Sequence, residues 1–397
     1  MSRFRLYPNS TQEAMLAVHC GHARFVWNLC VEQENWWRLG RGTMPGFAER
    51  CRQLTAARAD NAWLASGSII VQQQAIRDHA QAMAHFFAGT HRCPSWRKAG
   101  RDEGFRIVAI KQSDVRRLSR RWGEVRVPKA GWIRFRWSRQ VPAARSFRVT
   151  QDRVGRWHVA FAHIPDRIAA PGNGSVVGID RGVVNSAALS TGERLTVPGL
   201  SPGERRRLLN LQRRLARAKR GSKRRGRARV AIAKLMAREA GRRKDWCEKL
   251  STRLARQFDV IRVEDLDIRA MTRSAKGTAC QPGRNVKQKA GLNRSIRRSG
   301  WGLLVRRLEH KADGRVERIH PAYSSQRCSW CGHTAAESRE SQACFRCIAC
   351  GYTCNADVNA AKNIAAGHAV TARGGCRGAG PVNREPHQLA PLSAHQR

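Results

Sequence analysis

The residues most able to do chemistry lie near the C-terminal end, where six of thirteen cysteines crowd into residues 328–354. Cys328-Ser-Trp-Cys331-Gly332 and Cys347-Ile-Ala-Cys350-Gly351 are two CxxCG knuckles separated by fifteen residues. Tetrahedral zinc takes four thiolates, each knuckle offers two, and the glycine eases the turn that brings them together. No open coordination position is evident, so the expected role is structural. Cys344 and Cys354 leave the register open, with the glycines favouring Cys328, Cys331, Cys347 and Cys350. A second set is acidic. Asp180 ends Val-Val-Gly-Ile-Asp, Glu264 ends Asp-Val-Ile-Arg-Val-Glu, and Asp357 sits in Asn-Ala-Asp-Val-Asn-Ala-Ala. Singly, an acid at a strand end is most simply a solvated turn or an ion pair. Three facing one cleft could hold two divalent cations, the arrangement that activates water against a phosphodiester.

The elements that would position these groups can be read from periodicity. Residues 3–8 read as a strand, about Thr11 to Arg38 as a helix, and about Ser66 to Phe87 as a second helix stopped by Gly89. Between Phe105 and Ile164 the pattern changes to short strands at 124–127, 132–137, 146–149 and 157–162. Pro171-Gly172-Asn173-Gly174 marks a joint. Beyond it, strands are expected at 176–180, 183–189 and 194–197, and two Arg-rich helices over 202–257, broken near Gly221-Ser222. A strand follows at 258–264, then a mobile loop at 267–291, a helix at 301–312, a strand at 316–320 and a last helix at 357–366. With the three acids, the order strand–strand–strand, helix, strand, helix suggests an RNase H-like nuclease core. Residues 367–397 read as a disordered tail.

Composition narrows the partners. The 397 residues carry 75 Lys plus Arg against 29 Asp plus Glu, a net charge of +46. Such a body repels itself unless a polyanion neutralises it, which points to nucleic acid. An anionic membrane surface is the rival, but no apolar run reaches the ~18 residues of a membrane span. The first residues lack the apolar core of a secretory signal, so the expected compartment is the cytoplasm. Hydrophobic residues make up 41%, which excludes wholesale disorder.

Four motifs then stand in a telling order: Gly178-Ile-Asp-Arg-Gly182, Val263-Glu-Asp-Leu266, Ser325-Gln-Arg-Cys-Ser-Trp-Cys-Gly332 and Asn355-Ala-Asp-Val-Asn-Ala-Ala-Lys-Asn-Ile364. With Phe4-Arg-Leu-Tyr-Pro8, Ala23-Arg-Phe-Val-Trp-Asn28, Gln73-Gln-Ala-Ile-Arg-Asp78 and Phe86-Phe87, the chain resembles the TnpB family over about residues 3–366. These are transposon-encoded, RNA-guided DNA endonucleases related to compact type V CRISPR effectors. The resemblance implies a multidomain α+β fold. An RNase H-like (RuvC) α/β nuclease core would occupy 173–323 and 354–366, with a zinc-binding target-nucleic-acid-binding insert, a zinc ribbon, at 324–353. A β-barrel wedge domain would occupy 1–8 and 100–168 and carry an inserted helical recognition domain at 9–99.

It further implies that Asp180, Glu264 and Asp357 match the carboxylates that hold two catalytic Mg2+, and that Cys328, Cys331, Cys347 and Cys350 match the ligands of one structural Zn2+. The implied partners are a guide RNA and double-stranded target DNA bearing a short adjacent motif, with one protein per RNA. Guide pairing would read sequence while the protein grips backbone, which accounts for the charge, and 202–257 would line the heteroduplex channel. Gln73 and Gln74 lie where the recognition helix would approach the adjacent motif, and an amide can pair bidentately with adenine. Four alternatives stay open: a compact type V CRISPR effector, a non-catalytic RNA-guided regulator (which predicts a broken triad), a basic zinc-ribbon RNA-binding protein, and a transposase in the strict sense.

Overall fold

The structure is a computed structural model that describes residues 2–36, 44–100 and 103–367. The expected tail therefore falls, from residue 368 on, outside the described residues. The chain forms two compact units, divided between Pro165 and Asp166.

In the first unit β1 (Ser2–Tyr7) is followed by four helices, α1 (Ser10–Trp36), α2 (Phe47–Asp60), α3 (Ala62–Ser66) and α4 (Ile69–Phe87). Six strands follow: β2 (Gly104–Val108), β3 (Val115–Arg117), β4 (Trp122–Val127), β5 (Gly131–Arg136), β6 (Ser146–Gln151) and β7 (Trp157–Phe161). They make one antiparallel sheet in the order β2-β6-β7-β1-β5-β4-β3. The first strand lies at its centre, so the helices are an excursion between β1 and β2. Alternation sends Phe4 and Leu6 of β1 inward with Phe135, Phe147, Val149, Val159 and Phe161, and Leu16 of α1 and Val71 and Ile76 of α4 pack on the same core. The end strands β2 and β3 are not paired to each other among the described residues, so hydrogen bonds between them do not close the expected barrel.

The second unit holds β8 (Val176–Asp180), β9 (Ala187–Leu189), β10 (Arg194–Leu195), α5 (Pro202–Arg217), α6 (Lys223–Gln257) and β11 (Val260–Glu264). There follow α7 (Ile268–Met271), α8 (Val286–Ser299), α9 (Trp301–Lys311), β12 (Val316–Ile319), β13 (Cys344–Arg346), β14 (Thr353–Asn355) and α10 (Ala356–Ala366). Five strands form a mixed sheet, β10-β9-β8-β11-β12, in which β8, β11 and β12 are parallel and the β8–β9–β10 meander is antiparallel. The three central strands are near-continuous apolar runs because both faces are covered. Cys247, Leu250 and Leu254 of α6 and Leu304, Val305 and Leu308 of α9 pack against Val177, Ile179, Ile261 and Val263. Ile168 joins this core, which places residues 166–168 with the second unit rather than with the first.

Local chemistry sets the long helices. Ser201 and Glu204 form a capping box around Pro202, and Ser222 caps α6 after the break at residues 218–222. Glu204 also pairs with Arg238 and Arg242, both at 2.7 Å, which ties the start of α5 to α6. The segment expected as a mobile loop, 267–291, is more ordered than that. Asp267 caps α7, Lys289 Nζ donates to the Met271 carbonyl (2.9 Å), and the Asn293 amide donates to those of Thr272 and Arg273 (both 3.1 Å). Helix α8 gave no apolar stripe because its buried face is Asn293, Ile296 and Ser299.

Candidate metal centres

Strands β8 and β11 run side by side and parallel, with Val263 in register with Ile179. The residue after each, Glu264 and Asp180, therefore ends its strand at the same edge of the sheet, where a parallel α/β sheet opens its crevice. The third acid arrives from the far end of the sequence. Asn355 caps α10, its Oδ1 accepting from the backbone N–H of Asp357 (3.2 Å) and Val358 (3.3 Å), so Asp357 stands in the first turn. Helix α10 rests directly on β8 because residue 178 has no side chain. A Cβ at Gly178 would collide with the Ala361 carbonyl oxygen and the Ala365 amide nitrogen, and would lie 2.9 Å from Ala365 Cα.

The three carboxylates line one cleft of about 590 Å³ with Arg181, Trp301, Ser324 and Arg339. Two of them have defined side-chain partners. The Asn185 amide donates to Asp357 Oδ2 at 2.7 Å, and the Ser324 hydroxyl donates to Glu264 Oε1 at 2.7 Å. Arg181 is buried and its guanidinium donates to the Glu264 backbone carbonyl, tying the ends of β8 and β11 together. The Trp301 indole N–H donates to the Gly182 carbonyl at 3.2 Å and holds the turn after β8. Arg339 approaches Asp357 Oδ1 at 3.9 Å. Burial, then the charges of Glu264 and Asp357, push the Asp180 carboxyl well above the ordinary carboxylate range. The cleft thus concentrates negative charge in a chain of net +46, and its hard oxygen donors suit magnesium. Asn185, Ser324 and Arg339 carried no signal in the sequence, being polar residues in turns whose partners are distant in the chain; Arg181 lies in the Gly178–Gly182 motif, but its bond to the Glu264 carbonyl could not be read there.

The four knuckle cysteines also converge. The Sγ atoms of Cys328, Cys331, Cys347 and Cys350 all lie within 4.8 Å of one another. Cys328 and Cys350 are 3.8 Å apart, and Cys331 and Cys347 are 3.6 Å apart. Four thiolates at about 2.3 Å from a tetrahedral zinc stand about 3.8 Å from one another, so the quartet fits that ion. Each knuckle turns through a glycine in the left-handed region, Gly332 at φ 79° and Gly351 at φ 72°. Their N–H groups close the turns onto the carbonyls of Cys328 (3.0 Å) and Cys347 (2.9 Å). Cys344 and Cys354 stand outside the quartet on β13 and β14, where Cys344 contacts Glu340 and Cys354 the Asn355 carbonyl. Two asparagines of α10 fasten the first knuckle to that helix. Asn359 Oδ1 accepts from the Ser329 N–H at 2.9 Å, and Asn359 and Asn363 both donate to the Arg327 carbonyl at 2.7 Å.

In the first unit the two glutamines part company. Gln74 is buried on the inner face of α4 with its amide donating to Asp78 Oδ1 at 2.8 Å, contrary to the expectation that it faces a groove. Gln73 is half-buried. No helix among the described residues is long and apolar enough to cross a membrane.

Three family models match the chain: a Cas12f1-like TNB domain over residues 301–364, a probable transposase of the OrfB/IS605 type over 150–275, and a helix-turn-helix domain over 2–42. The chain is 34% identical to InsQ of Escherichia coli (strain K12), named as a candidate RNA-guided DNA endonuclease, over 99% of this chain and 98% of that one. It is 31% identical to a protein of the same description from Streptomyces pristinaespiralis, over 94% and 90% of the two chains. Among solved structures, the Cas12f1 chain of a Cas12f1–sgRNA–target DNA complex shares the fold, with TM-score 0.51 and 15% identity over 89% of this chain and 82% of that one.

Proposed function

The chain belongs to the TnpB family, and from that premise we propose that it is an RNA-guided, magnesium-dependent DNA endonuclease that cuts guide-complementary double-stranded DNA beside a short adjacent motif. The observation that carries the reading is the convergence of Asp180, Glu264 and Asp357 from two strand ends and a helix start into one cleft. The sheet order, an antiparallel meander joined through its first strand to two parallel strands, supports reading this unit as an RNase H-like (RuvC) core. The first unit supplies the wedge sheet and, in α1–α4, the recognition helices; residues 324–353 are the target-nucleic-acid-binding insert. The protein works in the prokaryotic cytoplasm, one copy on one guide RNA.

Two magnesium ions held by Asp180, Glu264 and Asp357 would supply an activated water and stabilise the leaving oxygen of a phosphodiester. The chain's own residues prepare that arrangement. Asn185 fixes the rotamer of Asp357, Ser324 that of Glu264, and Arg181 the spacing of the strands that carry Asp180 and Glu264. All three acids must be ionised to act, so the proton that burial and like charge favour on Asp180 has to leave first. Arginines along α5 and α6 grip backbone phosphates without reading bases. Gln73, on the outer side of Gln74, is the remaining candidate reader of the adjacent motif. Cys328, Cys331, Cys347 and Cys350 would hold a zinc ion that fixes the two knuckles and takes no part in hydrolysis.

The test is cleavage by the guide-loaded protein. Asp180→Ala, Glu264→Ala and Asp357→Ala should each abolish cutting while leaving guide RNA binding intact; full cutting by Asp180→Ala refutes the assignment. A CRISPR origin for the guide draws support from a 65-residue stretch 49% identical to a Cas12f1 of Sulfoacidibacillus thermotolerans, although that match covers only 16% of the chain. Sequencing the RNA that co-purifies with the protein, expressed with its native flanks, separates the two. RNA running off the end of a mobile element supports the TnpB assignment, and repeat-derived RNA the CRISPR one.

A further inference from the structure

The two knuckles carry a feature that zinc binding does not require. Trp330, between the paired cysteines of the first knuckle, is 79% exposed. Its ring lies nearly parallel to that of Tyr352, at an interplanar angle of 14° and a centroid distance of 6.1 Å. Tyr352 follows the second knuckle, and its carbonyl accepts the Cys347 N–H at 2.9 Å. Lys362 of α10 completes the group, its ammonium donating to the Tyr352 hydroxyl at 2.9 Å and lying 5.6 Å from the ring centroid. Ile348, at the tip of the second knuckle, is 62% exposed.

Exposing a tryptophan to this degree wastes its burial energy unless something covers it. A protein partner would be expected to cover a wider apolar patch. Here the exposed face is one or two rings wide with the Lys362 ammonium beside it, which is the composition of a nucleobase platform: aromatic faces for bases and positive charge for phosphates. The platform is also rigid. Trp330 stands between Ser329, pinned to Asn359 of α10, and Cys331, one of the four converging thiols. Helix α10 carries Asp357 in its first turn, while Asn359 and Lys362 leave the helix on another side. The platform is thus fixed to the element that bears a catalytic acid, yet is displaced from the cleft.

We propose that Trp330, backed by Tyr352 and Lys362, is a base-stacking subsite for single-stranded DNA, gripping the strand where it passes beyond the catalytic cleft. The identity of the strand rests on the nuclease reading above; the stacking itself does not. Because stacking releases no counterions, its contribution persists at salt concentrations that weaken phosphate contacts.

The test uses the full-length protein with zinc content verified. Binding of fluorescently labelled oligo-dT of ten nucleotides is followed by anisotropy over a salt series. Photocrosslinking of the same oligomer carrying 5-iodo-deoxyuridine, with mass-spectrometric mapping, locates the contact. Trp330→Ala should weaken binding about 5- to 150-fold, the range for loss of one base–aromatic stack, with the salt slope unchanged. Trp330→Phe should retain most of the affinity, and the wild-type crosslink should map to the peptide containing Trp330. Asp180→Ala should crosslink like the wild type, so a failure of the nuclease assignment and a failure of the platform are told apart. Crosslinks confined to other peptides, unchanged affinity in Trp330→Ala, or a phenylalanine variant as weak as the alanine one overturn the proposal. So does crosslinking by a uridine RNA probe that the DNA probe fails to match, which would make the occupant the guide.

Discussion

Replacing Gly178 by alanine isolates the contact on which the cleft depends. The added Cβ would lie 2.9 Å from Ala365 Cα and still closer to the Ala361 carbonyl oxygen and the Ala365 amide nitrogen. All three are backbone atoms, so no side chain can swing away. Ordinary carbon–carbon contact begins at about 3.5 Å, so α10 must retreat from β8 by roughly 0.6 Å or more. Asp357 rides on α10 and retreats with it, while Asp180 stays on β8. Overpacking of this kind costs about 1–3 kcal/mol, which for a unit of this size lowers Tm by roughly 2–12 °C. A misplacement near 1 Å at a reacting centre costs about 100-fold in rate. Calorimetry and single-turnover cleavage of a guide-matched plasmid, below the melting transition, measure the two effects separately. Ile179→Val is the control: it removes a buried methylene from the same strand, costs about 1 kcal/mol, and leaves α10 seated. Cleavage per folded molecule should collapse in Gly178→Ala and hold in Ile179→Val. A Gly178→Ala protein with wild-type Tm and wild-type cleavage would refute close packing of α10 on β8 as the determinant of Asp357 placement.

Other expectations follow from the same contacts. Asp180 has a folded-state pKa raised above its unfolded value of about 3.9, so the metal-free fold holds the extra proton and loses stability as pH rises through the window between the two. Asp180→Asn should therefore raise the Tm measured in chelator at neutral pH, flatten its pH dependence, and abolish cutting. Asn185→Ala removes the 2.7 Å bond to Asp357 and should lower magnesium affinity or cleavage about 10- to 100-fold with guide RNA binding intact. Elemental analysis should show zinc lost in Cys331→Ser but retained in Cys344→Ser and Cys354→Ser, because only the first removes a member of the quartet.

What the sequence made legible tracks how much each element depends on apolar contrast. Asp180 and Glu264 stood out because each ends an apolar run, and the knuckles because spacing alone defines them. Strand β8 and the β4–β7 strands were readable for the same reason, and the α5–α6 break from Gly221-Ser222; the second nuclease strand, expected over 183–189, is only Ala187–Leu189. Helix α2 was missed because it buries little beyond Leu54 and Arg50, and so shows no stripe. Strand β3 has three residues and β2 only two buried ones, too few to separate alternation from chance. The mobile-loop reading of 267–291 failed because α8 is held by polar contacts, which periodicity of apolar residues cannot register. Gln74 was misplaced because a helix surface cannot be oriented from polar residues alone; its inward turn depends on Asp78 one turn later.

The order in which the cleft is assembled from the chain has a consequence for the protein during its synthesis. Asn185 and the acid it holds, Asp357, are 172 positions apart, and α10 is the last described helix. At roughly 5–20 residues per second, the ribosome takes about 9–35 s to deliver Asp357 after the strand bearing Asp180 has emerged. Over the later part of that interval the nascent chain presents the basic helices α5 and α6, which can engage RNA as they leave the exit tunnel. A chain interrupted before α10 lacks both an acid of the triad and the helix that seats on β8. Guide capture can thus precede competence to cut, and an incomplete translation product would be an RNA-binding protein without an assembled nuclease cleft.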